Sequence, residues 1–293
     1  MTHADRPSPR TAVVVVNHNT RDDLLTCLDS LGDAGADEIV VVDSGSSDGS
    51  LTAVSQRHPD VQRVALPNLG FGRSANVGVR KSAADVVVVT NADTVFTPGS
   101  IARLGDYVLD RPDVGAAGPK VVFPDGRLQL SARAFPDIPT AIGHALLGLV
   151  WRDNPWTRRY RLTDWDHESE RDVDWLSGCC VALRRTAFEE VDGFDPAYFM
   201  FVEDVDLCWR LGTAGWRVVF TPVAEVQHAV GGSVGRKRVR MVAEHARSLD
   251  RFFARRYRTG LLTRGLIRLG LLGWAGSVIA WSQVRGRTHG QAA

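Results

Sequence analysis

The first 120 residues alternate short apolar runs with segments in which apolar residues recur at helical spacing. Three unbroken runs rich in β-branched residues are typical of strands that helices cover on both faces of a parallel sheet. These runs are Thr11–Val16, Glu38–Val42 and Val86–Thr90, and a weaker strand is predicted at Val61–Leu66. The helices between the strands are predicted to begin after Thr20, after Gly49, near Arg73 and at Pro98. The order βαβαβαβ predicts a doubly wound α/β domain.

The pattern loosens between residues 112 and 174, where prolines and tryptophans interrupt it. We expect short strands there, with an insertion that either shapes a binding cleft or is ordinary connecting structure. Further strands are predicted near 173–176, 179–183 and 216–221, and further helices from about 186 and over 205–214. We therefore expect one domain over 11–235, in which the sheet of 11–120 continues into a mixed region at 121–235, followed by a tail at 236–293.

The tail is predicted to form two amphipathic helices. It holds 13 of the 35 Lys and Arg residues and only 2 of the 34 Asp and Glu residues, although the net charge of the whole chain is +1. Arg264 and Arg268 leave 16 uncharged residues after them, fewer than the roughly 20 that cross a bilayer. A basic amphipathic tail on an acidic body favours an anionic partner such as a phospholipid surface. The alternative is a helical hairpin that packs on its own body or on a second subunit.

The N-terminus and the cysteines bear on the cellular compartment. Residues 1–10 contain no apolar run of the kind that secretory signals carry, and they are expected to be disordered. The four cysteines lack C-x-x-C spacing, and neighbours in the chain do not readily pair with each other. They are Cys27, Cys179, Cys180 and Cys208. We expect a reduced, cytoplasmic location, and the acidic body argues against nucleic acid as its partner.

Three polar clusters directly follow predicted strands and would meet at the carboxyl edge of the sheet, where ligands bind in such folds. They are Asn17-His18-Asn19, Asp43-Ser44-Gly45-Ser46 and Asn91-Ala92-Asp93. Asp43 can accept a hydrogen bond from a ring N–H, or it can simply form a turn. Carboxylates two residues apart at a strand end can hold a divalent cation and, through it, a diphosphate. Asn91 in the first of these positions weakens that site, whereas Asp93 can still bind.

The segment Asn68–Gly78 has two interpretations. Its Gly70-x-Gly72-x-x-Ala75 spacing matches a relaxed dinucleotide fingerprint, in which a helix N-terminus holds a pyrophosphate. That fingerprint normally follows the first strand, however, and here it follows the weakest one. We therefore favour a turn that leads into a helix and places Arg73 near a phosphate.

An acidic cluster follows the aromatic stretch at 198–201. Glu203, Asp204 and Asp206 lie within four residues, where burial and mutual repulsion can raise a carboxyl pKa into the range useful for proton transfer. The alternative is a solvated helix start with acids that the helix dipole favours. His228 is a candidate metal or phosphate ligand, although a lone histidine is more often structural.

Taken together, these residues resemble the inverting glycosyltransferases of family 2, which have the two-part GT-A fold. The resemblance covers about residues 12–233 and rests on an ordered set: VVVNHN, VVDSGSSDGS, NLGFGRSANVG, TNAD, WLSGCCVALRR, GFDPAYFMFVEDVDLCWR and the late His228. It is closest to the bacterial rhamnosyltransferase-like branch. It implies transfer of L-rhamnose, with inversion, from dTDP-rhamnose onto N-acetylglucosamine carried on a polyprenyl diphosphate, in cell-wall or surface-polysaccharide assembly.

The resemblance also implies a role for each matched residue. The donor-binding residues are expected to be Asn17, Asn19, Asp43, Ser44, Gly70, Arg73, Asn76, Asn91 and Asp93. The acceptor is expected to be bordered by Trp175, Gly178 and Cys179. Asp204 is the expected catalytic base, with Glu203 and Asp206 as supports or substitutes. Asp93 and His228 are expected to hold Mg²⁺ or Mn²⁺.

The expected partners are the nucleotide sugar, the lipid-linked acceptor and the inner face of the plasma membrane, with a homodimer as a further option. Three alternatives stay open. The donor can be another nucleotide sugar, such as galactofuranose or mannose. A sugar nucleotidyltransferase is disfavoured because Asn17-His18-Asn19 is not the glycine-rich, basic signature of such enzymes. A non-catalytic sugar-nucleotide binder is disfavoured by the intact Glu203-Asp204 pair.

Overall fold

Strands and helices alternate through the first half of the chain, as its apolar pattern predicts. The computed structural model describes residues 10–137, 140, 151, 153–229, 238–257 and 261–289. The N-terminal segment expected to be disordered and much of the expected insertion lie outside the described residues, at 1–9, 138–139 and 141–150. The strands are β1 (Thr11–Asn17), β2 (Glu38–Ser44), β3 (Gln62–Leu66), β4 (Val86–Asn91), β5 (Thr94–Phe96), β6 (Val114–Val122), β7 (Ala132–Arg133), β8 (Arg171–Asp172), β9 (Trp175–Leu176), β10 (Cys180–Arg184) and β11 (Arg217–His228). The helices are α1 (Arg21–Leu31), α2 (Ser50–Arg57), α3 (Phe71–Lys81), α4 (Ser100–Leu109), α5 (Pro155–Arg161), α6 (Arg185–Glu190), α7 (Glu203–Thr213), α8 (Arg238–Tyr257) and α9 (Leu261–His289).

Nine strands of the described chain form one mixed sheet, in the order β3-β2-β1-β4-β10-β6-β11-β5, with β8 paired to β11. The four strands β3, β2, β1 and β4 are parallel, and their valine-rich sequences suit strands that are covered on both faces. The register pairs Asn17 with Asp43 and Val16 with Asn91. The polar clusters predicted to follow these strands therefore lie side by side at one edge of the sheet.

The second half of the sheet combines predicted strands with β6, which no predicted apolar run indicates. β10 is antiparallel to both β4 and β6, and β11 extends well beyond the strand predicted at 216–221. β6 escapes prediction because two glycines and a proline interrupt its apolar pattern. The structure requires a glycine there: a Cβ on Gly118 would lie 2.5 Å from Leu176 Cδ2. Close packing of β6 against β9 therefore depends on a residue that usually argues against a strand.

Two buried cores cover the two faces of the sheet. One includes apolar side chains of α1, α2 and α4, among them Leu24, Val54 and Ile101. The other includes side chains of α3, α6, α7 and α8, among them Leu207 and Phe252. Helices on both faces confirm the doubly wound architecture, and β10, β6 and β11 extend it into the mixed half that the sequence predicts.

One helix begins later than predicted for a local reason. α4 begins at Ser100 rather than at Pro98, because Gly99 adopts a left-handed conformation with φ of 69°. A residue in that conformation cannot continue a right-handed helix, and glycine adopts it without steric cost. Pro98 therefore belongs to the turn that precedes the helix.

Thr20 lies at the N-cap of α1, as predicted, but its side chain does not cap the helix. Its hydroxyl donates to Asn17 Oδ1 at 2.8 Å. The N–H of Arg21 is accepted instead by the Asp48 carboxylate at 2.9 Å. The loop after β2 thus caps the helix after β1, and this links two of the three polar clusters.

The predicted tail differs along its length in how it packs. Phe252 and Phe253 of α8 are buried in the second core, as their helical spacing predicts. In contrast, Leu266, Leu269 and Leu272 of α9 are 70%, 67% and 68% exposed. No helix in the described chain is both long enough and apolar enough to span a bilayer. α8 therefore packs as part of the folded body, whereas α9 turns an apolar side outward.

Candidate active site

The carboxylate of Asp43 lies at the end of β2 in a ring of hydrogen bonds. Its Oδ1 accepts from Asn17 Nδ2 at 2.7 Å, and its Oδ2 accepts from the Ser46 N–H at 3.0 Å. Asn17 is fully buried and also donates to the Ser46 hydroxyl at 3.1 Å. A carboxylate offers about four lone-pair positions, so two accepted bonds leave capacity for a further donor such as a ring N–H.

The loops after β1 and β2 are fastened to each other around Asp43. Asn19 Oδ1 accepts from the Ser47 N–H at 2.8 Å. His18 Nδ1 lies 2.7 Å from the Ser44 carbonyl oxygen, which accepts only, so this nitrogen carries the proton. The predicted residues Asn17, Asn19 and Ser44 therefore surround Asp43 and fix its orientation.

A second polar group forms where β4 and β11 end. Asp93 Oδ1 lies 3.1 Å from His228 Nε2, and Asn91 Nδ2 lies 3.3 Å from the same nitrogen. Gln129 lies on the other side of the ring, with its amide nitrogen 3.0 Å and its amide oxygen 3.2 Å from Nδ1. Because this amide can either donate or accept, it supports both neutral tautomers of His228. One of these leaves Nε2 free of a proton, as metal binding requires.

The residues of this group suit a divalent cation whose remaining ligands are phosphate oxygens. Mg²⁺ in phosphate-transfer sites is commonly held by only one or two carboxylates together with the phosphates of the substrate. Asp93 supplies one carboxylate, His228 an imidazole nitrogen and Asn91 an amide. Within the described residues, no group of three or more His, Cys, Asp or Glu side chains has the arrangement of a complete metal site.

The backbone of Cys179 connects this edge to the catalytic half. Its carbonyl oxygen accepts from the Asn91 N–H at 3.1 Å and from the Thr90 hydroxyl at 2.8 Å. The preceding residue, Gly178, donates its N–H to Asp204 Oδ2 at 2.9 Å. Neighbouring strands and short contacts therefore join Asp43, Asp93 and Asp204 into one continuous region.

Asp204 and Glu203 form a pair of carboxyl groups at the start of α7. Asp204 accepts the Gly178 N–H and, through Oδ1, the Val205 N–H at 2.8 Å. Burial raises the pKa of Asp204, and these two N–H donors oppose part of that rise. Burial and the neighbouring Asp204 raise the pKa of Glu203 to about 8. Burial and mutual repulsion therefore favour a proton on Glu203, whose buried Oε2 has no hydrogen-bond partner among the described residues.

The turn that precedes α7 has an unusual backbone. Phe201 and Val202 have φ angles of 65° and 68°, in the left-handed region that bulky and β-branched residues rarely adopt. Such residues cost on the order of 1–3 kcal/mol each and persist where the surroundings hold them. Here the Ser248 hydroxyl of α8 donates to the Met200 carbonyl at 3.0 Å, and His245 stacks on Phe201 with ring centroids 5.1 Å apart. Helix α8 therefore holds the turn from which the carboxyl pair projects.

Helix α3 and the glycine before it contact the loop that precedes the acidic cluster. The Asn76 amide donates to the Phe194 carbonyl at 2.8 Å and accepts the Phe194 N–H at 2.9 Å. Arg73 Nε donates to the Pro196 carbonyl at 2.5 Å. A Cβ on Gly70 would lie 1.9 Å from the Phe199 carbonyl oxygen. The glycine-rich segment therefore packs against the loop of residues 194–199, and the donor-binding role of these three residues stays a prediction.

Asp206 also differs from its predicted role. It is fully buried, and its carboxylate accepts from Arg210 Nε at 2.7 Å and lies 3.2 Å from Arg255 Nη1. The Tyr198 hydroxyl lies 3.4 Å away. Two cations neutralise this carboxylate, and it ties α7 to α8. We therefore interpret Asp206 as a structural ion-pair residue and not as a substitute base.

Of the three predicted acceptor residues, Gly178 contacts Asp204 directly. Cys179 is buried and takes part through its carbonyl, while burial raises the pKa of its thiol to about 11. Trp175 is also buried, and its indole N–H donates to the Ala134 carbonyl at 2.9 Å. Gly178 therefore contacts the carboxyl pair through its N–H, while Cys179 and Trp175 make hydrogen bonds to neighbouring segments.

The sequence gives no signal for two polar side chains near this site. Gln129 contacts His228, and Arg133 lies above the Trp175 ring, with the guanidinium carbon 5.2 Å from the ring centroid. Both lie in the region where the apolar pattern loosens, and neither belongs to a motif. Only the long-range pairing of β7 with β9 brings Arg133 to Trp175.

Comparison with known proteins agrees with this fold. Residues 9–258 match the family described as "Glycosyltransferase like family 2". The chain belongs to this family and is a glycosyltransferase. The matched residues include all of α8 and end before α9.

Two curated relatives and one solved structure illustrate the similarity. The chain is 41% identical over 231 residues to an N-acetylglucosaminyl-diphospho-decaprenol L-rhamnosyltransferase of Mycobacterium tuberculosis (strain ATCC 25618 / H37Rv), covering 75% of each protein. It is 26% identical over 226 residues to the rhamnosyltransferase WbbL of Escherichia coli (strain K12), covering 74% of this chain and 82% of that protein. A mannosyltransferase from Pyrobaculum calidifontis, solved with GDP-Man and Mn²⁺, superposes with a TM-score of 0.59 at 21% identity, covering 95% of this chain and 76% of that one. The expected GT-A fold is confirmed.

Proposed function

We propose that this glycosyltransferase moves an L-rhamnosyl group from dTDP-rhamnose, with inversion, onto N-acetylglucosamine carried on a polyprenyl diphosphate. Its place is the assembly of a cell wall or surface polysaccharide. The 41% identity to an enzyme named for that reaction supports the choice of sugar and acceptor. The observation that carries the proposal is the series of contacts from Asp43, at the edge of the parallel strands, through the Cys179 backbone to the carboxylate of Asp204.

The donor end of the region suits a nucleoside diphosphate. Asp43 accepts a ring N–H of the base with the lone pairs that Asn17 and Ser46 leave free. Asp93 and His228, with Asn91 beside them, would hold a divalent cation at this end of the region. When bound, the cation neutralises the negative charge that develops on the leaving diphosphate.

Asp204 is the base in this proposal. Its carboxylate takes the proton from the acceptor hydroxyl as that oxygen bonds to the anomeric carbon. The bond from that carbon to the diphosphate oxygen breaks on the opposite face, which inverts the configuration. The raised pKa of Asp204 makes it a stronger base than an exposed carboxylate, and the Gly178 and Val205 N–H groups hold it in place. A proton on Glu203, which its raised pKa favours, reduces the repulsion between the two carboxyl groups.

The lipid acceptor implies that the enzyme works at a membrane surface. Support comes from α9, whose exposed Leu266, Leu269 and Leu272 lie in a segment rich in arginine and poor in acids. Apolar side chains beside cations suit the boundary between the headgroups and the acyl chains of an anionic leaflet. The competing occupant of this apolar side is a second copy of the chain.

The proposal is tested with purified full-length protein and a panel of donors. dTDP-rhamnose, UDP-galactofuranose and GDP-mannose are each incubated with the prenyl-diphosphate-linked N-acetylglucosamine, with and without Mn²⁺ or Mg²⁺. We expect product from dTDP-rhamnose, with the opposite anomeric configuration to the donor by NMR. Transfer from another donor alone would reject rhamnose, and retention of configuration would reject the single displacement. Cation-independent transfer would reject the proposed role of Asp93 and His228.

A further inference from the structure

Arg133 is a half-buried cation that the proposed reaction does not yet use. Its guanidinium carbon lies 5.2 Å from the Trp175 ring centroid and 5.5 Å from that of Tyr160. Its Nε donates to the Leu130 carbonyl at 3.2 Å. Within the described chain, its two terminal nitrogens donate to no protein acceptor. An arginine enclosed by aromatic rings without a carboxylate partner is suited to an anionic ligand.

The acid beside Trp175 in the chain makes a different contact. Asp174, which precedes the cross-strand neighbour of Arg133, accepts the Phe135 N–H at 2.6 Å. The positive charge of Arg133 does reach Asp204, where it lowers the carboxyl pKa, and His245 of α8, where it lowers the imidazole pKa. The guanidinium therefore lies within electrostatic range of both the proposed base and the helix that holds the catalytic turn.

The position of Arg133 relative to the two ends of the site limits what it can bind. The Asp93–His228 pair, proposed to face the donor diphosphate, lies at the ends of β4 and β11. Arg133 lies instead on the separate two-stranded sheet of β7 and β9. The charge of Arg133 reaches His245 of α8. His245 in turn contacts Phe201 and, in α9, Trp274, with ring centroids 5.1 and 5.5 Å away. Arg133 thus lies on the side from which a lipid-linked acceptor would approach.

We propose that Arg133 binds the diphosphate of the lipid-linked acceptor and so places the acceptor sugar against Asp204. The planar guanidinium has two free terminal nitrogens, which match the spacing of phosphate oxygens. The rings of Trp175 and Tyr160 hold the guanidinium and restrict its motion. This inference rests on the proposed function, because it assumes that the acceptor carries a diphosphate.

The test compares a charged acceptor with a neutral one. Wild-type enzyme and Arg133→Gln are assayed with N-acetylglucosaminyl diphosphate on a short prenyl chain and with the octyl glycoside of N-acetylglucosamine. We expect Arg133→Gln to lower kcat/KM for the diphosphate acceptor about 10- to 100-fold, the loss expected for one charged contact. We expect a much smaller change in kcat/KM for the neutral glycoside, which reports only the effect of the Arg133 charge on Asp204, and no change in the KM of the donor. Arg133→Lys is expected to recover part of the loss, because it keeps the charge but not the fork.

Arg111→Gln is the matched control. Arg111 is also half-buried above an aromatic ring, with its guanidinium carbon 4.0 Å from the Tyr107 ring centroid, but it lies after α4. Loss of a cation–π contact alone would affect the thermal stability of both variants and the kcat/KM of neither acceptor selectively. Equal losses with both acceptors, or none with either, would overturn the Arg133 proposal. If wild-type enzyme used the neutral glycoside and never the diphosphate, both this inference and the proposed acceptor would fail, while the transferase activity would stand.

Discussion

Replacing Asp204 with asparagine tests the proposed base with the smallest change in shape. Each carboxylate oxygen of Asp204 accepts one backbone N–H, from Gly178 at 2.9 Å and from Val205 at 2.8 Å. An asparagine has only one oxygen, so its NH₂ group must face one of these donors. An unpaired buried donor costs about 1–3 kcal/mol. Because the amide is neutral, it also avoids the burial penalty that raises the pKa of Asp204, and this offsets part of the cost.

The effect on catalysis should be much larger than the effect on stability. A positioned general base contributes about 10²- to 10⁴-fold in rate, which corresponds to about 3–5 kcal/mol in the activation barrier. We expect Asp204→Asn to lower kcat by that factor and the unfolding temperature by about 2–8 °C. Donor affinity should not change, because Asp43 and the Asp93–His228 pair lie at the other end of the region.

The assay measures kcat and KM for both substrates from initial rates of product formation, with thermal unfolding followed in parallel. Asp60→Asn, at an exposed position distant in sequence from Asp204, controls for the loss of a carboxylate in itself. A folded Asp204→Asn enzyme with kcat within about threefold of wild type would refute the assignment. A weakened affinity for the donor nucleotide would show that Asp204 contacts the donor.

Three further predictions follow from the same contacts. Glu203→Gln should flatten the pH dependence of stability. The pKa of Glu203 rises from 4.5 to about 8 on folding, so the wild type loses stability as the pH rises through that window. Equal falls in the urea midpoints of both proteins between pH 5 and pH 8 would contradict this. Asn76→Ala removes both hydrogen bonds to the Phe194 backbone and should lower the free energy of unfolding in urea by about 1–3 kcal/mol, with the donor KM unchanged. A raised donor KM would show that Asn76 contributes to donor binding. Leu269→Glu should weaken cosedimentation with anionic vesicles about tenfold, as loss of one buried leucine implies, and leave the rate on the neutral glycoside unchanged. If sedimentation stays the same and the protein's mass becomes independent of its concentration, the exposed side of α9 binds a second copy.

The sequence predicts most accurately those parts of the site that lie at the ends of neighbouring parallel strands. The clusters at Asn17, Asp43 and Asn91 follow buried parallel strands, so their meeting at one edge follows from the strand pattern alone. Contacts distant in the chain are different. Gly70 has the spacing of a phosphate loop, but its missing side chain makes room for the Phe199 carbonyl. The glycine spacing indicates that another group packs closely against Gly70, but it does not identify that group.

The same limit explains the residues that the pattern misses. β6 carries glycines because Leu176 packs against it, and Arg133 reaches the site only through the pairing of β7 with β9. Neither neighbour is close in sequence. Asp206 shows the reverse error: it shares a four-residue cluster with Glu203 and Asp204, yet on the helix it points to Arg210 and Arg255. On a helix, side chains two positions apart, such as those of Asp204 and Asp206, lie on different faces.

Helix α8 stabilises the strained turn at Phe201 and Val202, so truncations that remove α8 also affect the site. A chain shortened to end before Arg238 would lose the Ser248 bond to Met200 and the Arg255 pair with Asp206. Its inactivity would then reflect a relaxed turn at Phe201 and Val202, wherever the protein resides in the cell. Attachment and turnover can be separated only by leaving α8 intact and altering the outer side of α9.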